Sequence, residues 1–139
     1  MLVDQNTPLE EGGAYVSFFG LPATISRAPA VLARRLGLEV VAAACLRTES
    51  GFRMVTVPLP MPVSAYADDQ SLLQAIIAAN EALVRAHPEH YVWTYRRWRY
   101  VPDDCQPDLR ARYPFYAKPY SRGVGRRAAV RKAKTWTAS

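Results

Sequence analysis

Pro88-Glu89-His90-Tyr91-Val92-Trp93-Thr94-Tyr95-Arg96-Arg97-Trp98-Arg99 is the densest stretch of functional chemistry in this 139-residue chain. Four tyrosine and tryptophan rings alternate here with three arginines. It reads as a helix that starts near Pro88-Glu89, runs through Trp98 and ends before Pro102. Arginines set among rings can grip phosphates bidentately while the rings pack or stack. Two ligand classes fit: a phosphate-bearing lipid or cofactor, and nucleic acid. The alternative is that Tyr91 and Trp93 fill a core while Arg96 and Arg97 are solvated.

Upstream, Leu72, Leu73, Ile76, Ala79, Ala82 and Leu83 form a stripe at helical spacing, so the sequence predicts a helix over 70–86 capped by Asp68 or Asp69. Residues 58–68 are a proline-marked connection. Residues 52–59 suit a strand, and Ser50-Gly51 suits a turn, so 46–53 can be a hairpin loop. Residues 38–46 (Leu-Glu-Val-Val-Ala-Ala-Ala-Cys-Leu) read as a strand buried on both faces. A helix is expected over 27–36, with Ser26 as cap, Pro29 in the first turn and Gly37 past the end. Residues 14–19 suit an extended segment stopping at Gly20, and 6–13 a loop. Residues 1–4 look like the end of a strand. Strand, helix and strand with short links imply a right-handed parallel crossover.

Downstream of Pro102 the chain reads as irregular. Charge divides there as well. Residues 1–109 carry nine Lys/Arg against twelve Asp/Glu, whereas 110–139 carry nine Lys/Arg and no acid, and the whole chain is +6. Such a basic tail fits an anionic surface (phospholipid headgroups, nucleic acid, an acidic protein) or is simply a solvated extension.

Other chemistry is sparse. The two cysteines, Cys45 and Cys105, have no metal-ligand spacing; Cys45 reads as a buried small hydrophobe. There is no glycine-rich phosphate loop. Neither His87 nor His90 has an acid five residues on, since positions 92 and 95 are Val and Tyr. No stretch reaches the roughly 20 apolar residues of a membrane span. The opening Met-Leu-Val-Asp-Gln has neither the charged nor the apolar region of a secretory signal.

Two blocks carry a resemblance. The segment from Pro88 to Arg99 is similar to the C-terminal signature of the bacterial lipid A biosynthesis (lauroyl/myristoyl) acyltransferases, Pro-Glu-Gln-Tyr-x-Trp-x-His-Arg-Arg-Phe-Lys. It matches at Pro88, Glu89, Tyr91, Trp93, Arg96 and Arg97. It departs at His90, Tyr95, Trp98 and Arg99, where the family has Gln, His, Phe and Lys. Upstream, Asp4-Gln5, Phe18-Phe19-Gly20, Pro22-Ala23-Thr24, Ala28-Pro29 and Leu32-Ala33-Arg34 resemble the family's strand-loop-helix block in order and spacing. The resemblance covers roughly residues 1–101.

That resemblance implies an α/β fold: part of a glycerolipid-acyltransferase-like mixed sheet flanked by helices, followed by an irregular basic extension. Residues 1–102 would be the C-terminal part of an acyltransferase domain and 103–139 the extension. It implies transfer of a fatty acyl group from acyl carrier protein or coenzyme A to a hydroxyl of a lipid A precursor, at the cytoplasmic face of the bacterial inner membrane, with no other cofactor. The family's base is a His in a His-x4-Asp/Glu dyad, which deprotonates the acceptor hydroxyl while the carboxylate orients the imidazole. This sequence holds no such dyad, so no catalytic residue is assigned, and the resemblance implies a truncated chain, inactive alone. The substrate-binding residues it implies are Asp4 near the acceptor phosphate or sugar, Arg96 and Arg97 as phosphate or structural arginines, and Phe18 and Phe19 along the acyl chain. A non-enzymatic module holding anionic lipid or nucleic acid through its arginines and basic tail is the competing expectation.

Overall fold

The computed structural model describes residues 5–121. Asp4 and the 122–139 part of the basic tail lie outside the described residues.

Strand β1 (Gly13–Phe18) turns straight back as β2 (Leu21–Ser26), antiparallel, with Phe18 opposite Leu21. The turn is two residues, Phe19 and Gly20, both in the left-handed region at φ 51° and 73°. Two positive φ values match the right-handed twist of a hairpin, which is why this turn joins strands rather than ending one. The expected stop at Gly20 is therefore a reversal, and 21–26, to which the sequence pattern assigns no element, is a strand. At the other end Gly13 has no room for a side chain: a Cβ there meets the Thr7 carbonyl oxygen at 2.1 Å.

Helix α1 (Ala28–Leu36) follows, with Ser26 Oγ accepting from the Ala28 N–H at 3.2 Å and Gly37 closing it at φ 62°. Strands β3 (Val41–Thr48) and β4 (Gly51–Pro58) form a second antiparallel hairpin. These findings correct two expectations. Among the described residues there is no parallel crossover over α1, because β2 intervenes and β3 pairs only with β4. The strand is not buried on both faces: Ala42 and Leu46 point inward, while Val41, Ala43 and Cys45 point out. An unbroken apolar run cannot say which face is covered, and Cys45 is exposed as a result.

Helix α2 (Asp69–Ala86) spans the two hairpins. Asp68 is its cap: the carboxylate accepts from the Ser71 N–H at 2.7 Å and Ser71 Oγ accepts in return from the Asp68 N–H at 3.2 Å. Those bonds hold the Asp68 carboxyl below the usual carboxylate range. Leu72, Leu73, Ile76 and Ile77 drive into one core with Val16, Phe18, Ala23, Ile25, Ala30 and Ala33. Ala79 and Leu83 meet Ala42 in a smaller one. Leu72, Leu73 and Ile77 are fully buried, each worth about 1.5–3 kcal/mol of hydrophobic stabilisation. Arg34 ties α1 to the start of α2 through Asp69 at 3.0 Å and the Tyr66 carbonyl at 2.5 Å.

The polar side of α2 serves the free edge of β1. Gln70 donates to the Tyr15 carbonyl at 2.6 Å, and Gln74 accepts from the Ser17 N–H at 2.8 Å and donates to its carbonyl at 3.0 Å. Glu81 accepts from the Phe19 N–H at 2.6 Å. Positions 70, 74 and 81 share one helix face.

The Pro88-to-Trp98 stretch is not a helix. One 3-10 turn, Pro88–His90, is followed by tight turns and irregular chain. Bulky rings in close succession disfavour helix and are here shared between core and surface. The two-residue strands β5 (Tyr100–Val101) and β6 (Lys118–Pro119) pair in parallel, with helix α3 (Pro107–Ala111) between them. The described residues thus form a mixed α/β fold, the expected class, with three two-stranded sheets rather than one larger sheet.

The 101–121 segment is fastened to the rest. Tyr113 donates to the Pro22 carbonyl at 2.9 Å. The Tyr120 hydroxyl accepts from the Leu9 N–H at 2.6 Å and donates to the Glu10 carboxylate. Its ring meets Tyr15 and Tyr100 edge-on at 6.2 and 5.5 Å.

Candidate functional site

The β1–β2 turn and the stretch after α2 meet in one aromatic cluster. Phe18 is 1% exposed; its ring lies 4.8 Å from Phe19, 6.1 Å from Tyr91 and 5.8 Å from Trp98. Trp93 closes on Tyr91 at 4.9 Å and on Phe19 at 6.2 Å. The Trp98 indole N–H donates to the Phe18 carbonyl at 3.1 Å, which fixes the returning chain to the hairpin.

Two cations sit against these rings. The Arg97 guanidinium lies over Phe18 at 5.1 Å, and the residue is only 3% exposed. Arg85 lies over Phe19 at 4.6 Å while its guanidinium pairs with Glu81 at 2.6 Å. Burial raises the Tyr91 hydroxyl above the ordinary tyrosine range, opposed by the charge and hydrogen bond of Arg97. A buried guanidinium on ring faces is well suited to holding a flat apolar wall, since it stacks and pairs together.

The structure brings Phe18, Phe19 and Arg97 together and sets Arg96 apart. Arg96 is exposed and points over the Tyr116 ring at 5.8 Å. Its backbone carbonyl accepts from Asn6 Nδ2 at 2.8 Å, and the neighbouring Tyr95 hydroxyl accepts from the Asn6 N–H at 2.7 Å. Positions 95 and 96 therefore clamp the chain two residues after Asp4. His90 Nε2 stands 3.5 Å from the Glu89 carboxylate, and its ring 6.5 Å from that of His87. Among the described residues no group of three or more His, Cys, Asp and Glu side chains converges to hold a metal. No described helix is long and apolar enough to cross a membrane.

Sequence reasoning missed Glu81, Gln70 and Gln74 as supports of the turn. Their signal was present as a polar stripe opposite the leucines of α2. The Asn6–Tyr95 contact joins positions 89 residues apart and left no local signal.

Two hairpins bridged by one helix, with an arginine buried against the rings at the hairpin turn, make the described residues a mixed α/β fold with an aromatic–cationic cluster at that turn. The chain belongs to the bacterial lipid A biosynthesis acyltransferases: residues 1–100 match that family's model. The substrates of that family are in general a lipid A precursor and an acyl donor. A comparison with curated proteins finds no match.

Proposed function

We propose that this chain supplies the C-terminal, substrate-facing part of a lipid A acyltransferase, moving a fatty acyl group from acyl carrier protein or coenzyme A to a precursor hydroxyl at the cytoplasmic face of the inner membrane. Residues 1–102 are its family part and 103–139 an extension. The observation that supports this best is the aromatic wall of Phe18, Phe19, Tyr91, Trp93 and Trp98 over buried Arg97. Half-buried Phe19 sets the apolar side along the acyl chain, with buried Phe18 packed behind it. Arg97 holds the wall flat, exposed Arg96 is the cation that a substrate phosphate reaches, and Asp4 serves the acceptor.

The sequence holds no His-x4-Asp/Glu pair, so the chain alone carries no base for the acceptor hydroxyl and transfers nothing. The test is a chimaera in which this chain follows the dyad-bearing half of a family member, assayed with acyl carrier protein thioester and a labelled lipid A precursor. Transfer by the chimaera and none by the chain alone is expected. A folded but inactive chimaera, beside an active parent enzyme, refutes the reading. So does transfer by the chain alone.

A further inference from the structure

The most exposed large hydrophobic residue in the structure is Phe115, 98% accessible. It is not on a loose end. It sits in a closed turn, with the Ala117 N–H donating to the Pro114 carbonyl at 2.9 Å, and its ring meets Tyr116 edge-on at 5.7 Å. Tyr116 is in turn capped by Arg96. Three residues on, the Lys118 N–H donates to the Arg99 carbonyl at 3.0 Å, which sets Lys118 beside Arg99. Arg112, three residues before Phe115, has its guanidinium at Gly20 of the hairpin. Arg96, Arg99, Arg112 and Lys118 are all exposed, and none of them makes an ion pair among the described residues. An exposed aromatic ring in a closed turn, with unpaired cations on the same and the neighbouring segment, is the chemistry of a membrane-interface anchor: the ring enters the headgroup layer and the cations meet lipid phosphates.

We propose that the 112–118 turn, with Arg96 and Arg99, is a docking surface for an anionic phospholipid bilayer. The 112–118 turn lies beyond the 1–100 family match, while Arg96 and Arg99 lie inside it, so the surface joins the family part to the extension. Charge argues for the same partner, since residues 122–139, directly after it, carry six more Lys/Arg and no acid. The choice of lipid over nucleic acid rests on the lipid substrates of the family; Arg96 is shared with the proposed substrate site, but Phe115 is not, so the Phe115 variants make failure of the docking distinguishable from failure of acyl transfer.

The test measures partition of the full chain onto phosphatidylcholine vesicles with and without phosphatidylglycerol. Phe115→Ser, Phe115→Trp and the double variant Arg96→Gln/Arg99→Gln are compared with the parent, all checked for unchanged circular dichroism. Phe115→Ser should weaken binding to the anionic vesicles about tenfold at moderate salt, as loss of most of one buried aromatic side chain implies. Phe115→Trp should retain binding, and the double arginine variant should lose severalfold at low salt and little at high salt. Equal partition of parent and Phe115→Ser overturns the proposal, because the basic tail alone would then hold the membrane. Binding to single-stranded RNA that is lost in the same variants, with no binding to vesicles, overturns it in favour of nucleic acid.

Discussion

Replacing Tyr120 by Phe isolates the hydrogen bonds that fasten the C-terminal segment to the start of the fold. The ring stays, with its edge contacts to Tyr15 and Tyr100. Two bonds go: the one accepted from the Leu9 N–H and the one donated to the Glu10 carboxylate. A neutral bond contributes about 1 kcal/mol net, and a charged one more, but both are solvent-exposed here and belong at the low end. The expected loss is therefore about 1–2 kcal/mol. With a urea slope of roughly 1–3 kcal/mol/M for a chain of this size, the unfolding midpoint should fall by on the order of 1 M at an unchanged slope. Tyr120→Ala also bares the Tyr15 and Tyr100 rings and should cost about 2 kcal/mol more. The refuting result is a midpoint that does not move in either variant. It would mean that residues past the family match hang beside the fold rather than belonging to it.

Phe18→Ala removes the ring at the centre of the aromatic cluster and should cost about 3–5 kcal/mol, read as a collapse of the thermal transition or a loss of near-ultraviolet dichroism. Gly20→Ala forces a side chain to φ 73°, with its Cβ 3.4 Å from the Arg112 guanidinium, and should cost about 1–2 kcal/mol in the same denaturant titration. Burial, and next its bond to Glu10, pushes the Tyr120 hydroxyl up to about 12, and burial raises Tyr15 and Tyr113 as well. Raised values favour the protonated fold, so stability should hold below the ordinary tyrosine value of 10.0 and fall as pH rises from there through 12, followed by dichroism together with tyrosinate absorbance. Asp68→Ala should lower the melting temperature at neutral pH. The lowered carboxyl makes the parent's advantage present above the ordinary value of 3.8 and lost as pH falls below it, so the two melting curves should converge in acid.

Helix α2 was legible almost to the residue, because its stripe, cap and length agree with one another. The β3–β4 hairpin was legible from Ser50-Gly51, but its loop is only Glu49-Ser50 rather than 46–53, since both strands run on to Thr48 and Gly51. Strand β2 was not: Leu21-Pro22-Ala23-Thr24 carries a proline, and a phenylalanine at positive φ is not a residue that announces a turn. The Pro88-to-Arg99 stretch shows the limit of pattern. Its chemistry was read correctly as aromatic and cationic, but helical periodicity could not tell which rings point inward, and a long-range partner, the Phe18 turn, decides that. Arg96 and Arg97 are neighbours in sequence and identical in type. One is buried under Phe18 and the other lies open on Tyr116, a split that only the tertiary structure makes.

The amides that α2 presses against β1 have a consequence for how this fold can grow. Gln70, Gln74 and Glu81 stand where the backbone of a neighbouring strand would stand, and they use up the Tyr15, Ser17 and Phe19 groups that such a strand would need. That side of the first sheet is finished by side chains. In the second sheet, among the described residues, β3 and β4 pair only with each other and leave their outer edges without a strand. An additional strand, from a longer chain or from another molecule, therefore finds no docking row on β1, whereas the outer edges of the second hairpin offer one. The β1 edge, next to the aromatic site, is closed to such growth.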